Sequence, residues 1–179
     1  MMTLRLSSAD QQYFVQNAYH VADIDRAIER WHSVTGLGPF LVRRHIQLNN
    51  VRYRGQPTNL DISAAFVQSG SVQVELIQQH CNSPSAFRDM FADDREGFHH
   101  VAVAPSDRPA TLEHYQRLGF DIASEFQTVG GGGAAYVDTR AIFGHMVEVY
   151  EVSERITQLY ALVANAATDW DRQQLVIEL

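Results

Sequence analysis

Two stretches decide the fold: Gln16-Asn17-Ala18-Tyr19-His20-Val21-Ala22-Asp23 and His100-Val101-Ala102-Val103-Ala104-Pro105-Ser106-Asp107. Each is an apolar, strand-like run with an aspartate seven residues after its lead residue. Each aspartate is followed eight residues later by an aromatic, Trp31 or Tyr115, and then by a closing glycine, Gly36 or Gly119. The aspartates are read as helix N-caps and the glycines as helix stops, because a short acceptor suits the first turn and glycine tolerates the left-handed exit. Internal repetition of this kind points to a duplicated module.

Working outward, each copy follows the same grammar. Alternation and turn signals predict strands over 13–21, 40–48, 60–68 and 72–78, with a helix begun at Asp23 and ended at Gly36. Asn49-Asn50 and Ser69-Gly70-Ser71 mark turns, and 54–59 a loop. A connector with a short helix over 83–90 follows. The second copy predicts strands over 98–104, 120–128, 134–138 and 145–151, with a helix over 109–118. The fold class is therefore α+β. Two tandem βαβββ modules, 12–80 and 97–151, form an open, cup-shaped mixed sheet. An amphipathic C-terminal helical extension over 152–179 is read as a packing or dimerisation helix.

The closing strands match as well: VQVELIQ at 72–78 and GHMVEVYE at 144–151 each carry one glutamate, Glu75 or Glu148, in an apolar run. A carboxylate on a buried strand is costly unless it is paired, hydrogen-bonded or metal-bound. Two of them at matching positions point to one shared site. The lead residues Gln16 and His100 complete it if the modules pack about a pseudo-twofold axis. One imidazole, two carboxylates and an amide oxygen suit one divalent ion such as Zn, Ni, Co, Mn or Fe.

The chain resembles the vicinal oxygen chelate superfamily over about residues 12–151, on the strand-helix match at 16–31 and the GFHHVAV and GHMVEVYE strings. That group includes glyoxalase I, methylmalonyl-CoA epimerase, extradiol dioxygenases and metal-free antibiotic-binding proteins. The resemblance implies Gln16, Glu75, His100 and Glu148 as metal ligands, with Glu148 as general base and Glu75 as its partner. It implies a lyase or isomerase moving a proton next to a carbonyl, and a homodimer. His20 shares a strand face with Gln16 and is assigned a substrate contact, with a rim or packing role as the alternative. Four strand residues span about 13 Å, too far for both to bind one ion. His99 is expected to face away from His100. Glutathione recognition lacks its arginine: Glu96 stands four residues before His100. The alternatives are a metal-free binding protein and an extradiol-type dioxygenase. The latter wants histidine where Gln16 stands.

Composition bounds the partners. The 179 residues carry a net charge of -7, which argues against nucleic acid, although Arg43, Arg44, His45, Arg52 and Arg54 cluster. That cluster is read as a solvated strand face, with a patch for an anionic ligand as the alternative. With one cysteine, Cys81, no intrachain disulfide forms. No apolar run reaches the length of a signal peptide at 1–10 or of a membrane span elsewhere, so a cytoplasmic protein acting on a small molecule is expected. The Gly130-Gly131-Gly132-Gly133 run lacks a phosphate loop's strand-turn-helix setting, and is read as a connector or a lid.

Overall fold

The computed structural model describes Leu4 and residues 6–8, 11–129 and 131–179. The first module contributes β1 (Phe14–His20), α1 (Ile24–Thr35), β2 (Phe40–Arg43), β3 (Leu48–Tyr53), β4 (Gln56–Pro57), β5 (Ile62–Ser69) and β6 (Val72–Gln79). The second contributes β7 (Gly97–Val103), α2 (Arg108–Arg117), β8 (Ile122–Thr128), β9 (Gly133–Val137), α3 (Arg140–Phe143) and β10 (Met146–Tyr150). Helix α4 (Glu154–Thr168) and β11 (Val176–Glu178) follow.

All strands join one sheet in the order β11-β2-β5-β6-β1-β7-β10-β9-β8-β3-β4. The two lead strands, β1 and β7, pair antiparallel at its centre, and each is flanked by its own module's closing strand in parallel. This is the pseudo-twofold arrangement that brings the repeat positions together. Asp23 accepts from the Arg26 N–H and Asp107 from the Ala110 N–H, as the cap reading expects. Each such cap is worth about 1 kcal/mol. On the outer face α1 seats Ile24, Ala27 and Ile28 against Val74 and Leu76, while Tyr115 of α2 packs on Val101, Val103, Val147 and Val149. The third apolar cluster fills the concave face, where Leu159, Tyr160 and Val163 of α4 meet Phe66, Phe126, Tyr136 and Tyr150. Helix α4 is thus a packing helix that covers the cup.

Several expectations are corrected. Asn49-Asn50 is not a turn: both lie in β3, and a bulge between Asn49 and Arg52 absorbs the positive φ of Asn50. The β3–β4 hairpin leaves its own module and pairs with β8 of the other. The 83–90 segment forms turns, not a helix. Its polar groups are spent on the first module: Ser85 Oγ donates to Gln79 Oε1, and Arg88 donates to the Gln79 and Cys81 carbonyls. The extension over 152–179 is not all helical. The short run at 176–178 pairs with β2, where Phe40 N–H donates to the Leu175 carbonyl and Leu179 N–H to that of Val42. The basic cluster also divides. Arg44 is held by Asp25 and Glu178, and Arg54 by Asp89 and Asp138, but Arg43 shares the concave face with Leu41.

The Arg54 pairs tie the tip of the β3–β4 hairpin to the connector and to the second module. Arg54 reaches Asp89 and Asp138 at 2.6 Å each, and Arg140 meets Asp138 at 2.8 Å. Hydrogen bonding to Arg140, helped by Arg54 and opposed by partial burial, holds the Asp138 carboxyl far below the usual carboxylate range. A depressed carboxyl stabilises the fold above its unfolded pKa of about 4 and loses that contribution as pH falls through the folded value. Asp138→Asn should therefore cost about 1–2 kcal/mol at pH 7. In urea unfolding, the gap to wild type should shrink as the pH is lowered from 5 toward 2.5.

Candidate metal centre

The register across the central strands sets two adjacent rows on the concave face. One row runs Glu75, Ala18, His100, Met146; the next runs Gln73, Gln16, Ala102, Glu148. The repeat relates Glu75 to Glu148, Gln16 to His100 and Ala18 to Ala102. Both alanines are fully buried, and their small side chains leave room for the carboxylates to converge over the sheet.

Glu75, His100 and Glu148 meet. His100 Nε2 lies 3.0 Å from Glu148 Oε2 and 3.5 Å from Glu75 Oε2, and one donor atom from each of the three falls within 4.8 Å of the others. His100 is 0%, Glu148 4% and Glu75 6% exposed, so water does little to screen them. Two carboxylates around one imidazole leave an excess negative charge, which protons otherwise have to relieve. Burial pushes Glu75 up, Glu148 adds to this and the bond to His100 opposes it. Burial alone would depress His100, but the Glu148 and Glu75 carboxylates outweigh it and His100 is pushed up to about 9. A divalent cation relieves the same excess without a proton. Donors held tetrahedrally at about 2.1 Å from one ion lie about 3.4 Å apart, and the separations of 3.0 and 3.5 Å from His100 Nε2 are already close to that. The N/O donor set fits the ion expected from the sequence.

Gln16 is buried beside this cluster, but its amide is engaged elsewhere. Its Nε2 donates to Gln73 Oε1 at 2.7 Å, and its Oε1 accepts from the Tyr150 hydroxyl at 2.8 Å. Tyr160 of α4 extends the chain, donating to the Tyr150 oxygen at 3.4 Å. The Tyr136 hydroxyl bonds to Glu148, and its ring packs 5.1 Å from that of His100. The sequence alone assigned no site role to Tyr136, Tyr150 or Tyr160. The parity of Tyr150 with Glu148 on β10 was the available signal for one of them.

His99 does not face away from His100. The pairing of β1 with β7 shifts by one residue between Ala18 and Tyr19, which makes His99 the extra residue of a bulge. Strict alternation fails there, and the two Nδ1 atoms lie 2.8 Å apart. His99 Nε2 bonds the Ala86 carbonyl at 3.1 Å. Burial, with the His100 charge adding, pushes His99 well below its ordinary range, so the neutral ring fixes the orientation of His100 from behind. His20 lies further along β1, buried and outside the cavity lining. It stacks on Phe91 at 5.5 Å and bonds the Arg95 carbonyl through Nδ1 at 2.8 Å. Glu96 is engaged by Arg30 and the Ala22 N–H, remote from the cluster.

Above Glu75 and Glu148 opens a cavity of about 630 Å³ including its open mouth. Its walls are mainly apolar: Ile46, Ile62, Phe66, Phe126 and Leu159 among them, with the Tyr150 and Tyr160 rings. Gly133 lines it where any Cβ would collide with the Phe126 carbonyl, so a larger residue is barred there. Gly130 lies outside the described residues. The rest of that glycine run closes the β8–β9 hairpin, with Thr128 N–H donating to the Gly132 carbonyl at 2.9 Å. Arg43 also lines the cavity. No hydrogen bond or ion pair to the Arg43 side chain is found among the described residues, and burial with the nearby Arg155 charge lowers its affinity for a proton.

The family model for the glyoxalase/bleomycin resistance protein/dioxygenase superfamily matches residues 15–137. The chain belongs to that superfamily. Its fold is that of a methylmalonyl-CoA epimerase from Mycobacterium tuberculosis, with 18% identity and a TM-score of 0.53 over 81% of this chain and 91% of that one. A hypothetical protein from Bacillus halodurans C-125 aligns with a TM-score of 0.56 at 16% identity, over 80% and 96% of the two chains. A methylmalonyl-CoA epimerase in complex with methylmalonyl-CoA and NH4+ aligns with 0.51 at 14%, over 78% and 93%. No curated protein matches. At these identities the structural likeness is one of fold, and the superfamily's chemistry has to be argued from the site. Among the described residues no helix is long and apolar enough to cross a membrane.

Proposed function

We propose that this superfamily member is a metal-dependent isomerase or lyase of the glyoxalase or epimerase type, which moves a proton next to the carbonyl of a small substrate. The observation that carries the reading is the buried Glu75–His100–Glu148 cluster at the floor of an apolar cavity within one chain. Glu75, His100 and Glu148 would hold the ion, with Gln16 as the fourth ligand once its amide turns from Tyr150. A divalent ion there supplies Lewis acidity toward a carbonyl oxygen.

The chain's own residues do the rest. Glu148 takes the α-hydrogen as a proton; the C–H electron pair enters the enolate, and the proton returns to the same carbon on either face. Glu75, flanking His100 across from Glu148, is the partner that handles the second face. Tyr136 holds Glu148 in place by its hydroxyl. The apolar walls exclude water and strengthen each electrostatic contact. Arg43 selects a substrate carrying an anionic group, since a half-buried guanidinium without a protein partner is best satisfied by the ligand. The malonyl carboxylate of an acyl thioester has this chemistry. The full set of donors favours this reading over a metal-free binding module, and Gln16 in place of histidine disfavours the dioxygenase.

Two variants test it. With methylmalonyl-CoA and the hemithioacetal of glutathione and methylglyoxal as probes, deuterium uptake from D2O at the α-carbon is followed by NMR. Glu148→Gln should fold normally and lose at least about a thousandfold in exchange, within the span expected when a positioned base is removed. Wild-type exchange in that variant, or no exchange in wild type on any such probe, rules the mechanism out. Arg43→Gln should raise KM about tenfold or more for the anionic substrate while leaving kcat within about twofold, the signature of a lost binding contact.

A further inference from the structure

His45, Asp61 and His80 form a second cluster, far from the concave face in role. They sit at three strand ends on one edge of the first module: after β2, before β5 and after β6, which are neighbours in the sheet. Donor atoms from all three lie within 4.8 Å of one another. His45 Nδ1 faces both oxygens of Asp61 at 2.8 and 3.0 Å, and the two imidazole rings stack 4.4 Å apart.

The backbone around these residues is fixed before any ligand arrives. The His45 N–H donates to Ser63 Oγ at 3.0 Å, the His80 N–H to the Asp61 carbonyl at 2.8 Å, and the Ile46 N–H to the Ile62 carbonyl at 2.8 Å. His45 itself holds a left-handed φ of 46°, a conformation a non-glycine residue keeps only where its surroundings impose it. His80 Nε2 is bonded to the buried Ser63 hydroxyl at 2.7 Å. An outer partner on one ring nitrogen is how metal-binding histidines are oriented, with the other nitrogen left for the ion. Arg44 is the nearby cation, and Asp25 and Glu178 already hold it.

We infer that His45, Asp61 and His80 form a second, solvent-facing divalent metal site, independent of the inner cluster and suited to zinc. Two imidazoles and one carboxylate with water in the open position match the preferences of that ion. The site would brace the cavity from outside. His45 and Asp61 each precede a cavity-lining residue, Ile46 and Ile62, and those two residues are already joined by a backbone hydrogen bond.

The test is a calorimetric titration of metal-free protein with ZnCl2. His45→Ala/His80→Ala should bind one equivalent fewer than wild type. His100→Ala, altered only at the inner cluster, should keep the equivalent that the double variant loses. Asp61→Asn should weaken that equivalent at least tenfold and leave the other unchanged. Both histidines are exposed, so the double variant should keep the wild-type circular dichroism spectrum. Unchanged stoichiometry in the double variant, or a wild-type surface equivalent weaker than about 1 mM, overturns the site. Wild type that binds the surface equivalent and no inner one would count against the proposed catalytic centre and not against this site.

Discussion

Two glutamates and a histidine, buried together at the centre of a sheet, are the constraint on which the rest of this molecule turns. Burying a carboxylate costs several kcal/mol unless something compensates it. Here two are set 3.0 and 3.5 Å from the same imidazole nitrogen. A fold that keeps such a cluster has to hold it rigidly and shield it, and the surrounding architecture does both. The antiparallel pairing of β1 with β7 brings the two modules into register, and fully buried Ala18 and Ala102 leave the space above them clear. The bulge at His99 puts a neutral imidazole behind His100. The tyrosines of β9, β10 and α4 supply hydroxyls and apolar walls together.

The same constraint explains the elements outside the duplicated unit. The concave face carries the charged cluster, and it also exposes Phe66, Phe126 and Tyr150, which need cover. Helix α4 supplies it from the same chain, so the cavity is complete in a single protomer. The β3–β4 hairpin crosses to the opposite module and is fixed there by Arg54 between Asp89 and Asp138. The first module thereby closes over the edge of the second, while β11 of the C-terminal extension covers the edge of the first.

Much of this was legible in the residues because the duplication repeats itself in chemical detail. Asp23 and Asp107 announce their helices, and Glu75 and Glu148 stand out in runs that are otherwise apolar. What the sequence hid were departures from simple periodicity. A bulge shifts parity by one residue, so the rule that neighbours on a strand face opposite ways fails at His99 and His100. A three-residue strand such as β11 carries too short a pattern to be seen, and its pairing with β2 is a tertiary event. Arg43 read as part of a solvated basic run because the strand's concave face could not be known before α4 was placed over it. The turn at 83–90 looked helical by composition, but side-chain bonds to Gln79 and Cys81 outcompete the helix.

The central claim is that the buried cluster holds a metal ion. Elemental analysis of protein purified without chelator, wild type beside His100→Ala, tests it most directly, with circular dichroism to establish that both are folded. The account predicts that wild type carries about one more divalent ion per chain than the variant. Equal metal content in the two folded proteins, before and after adding zinc, nickel, cobalt, manganese or iron, would contradict it.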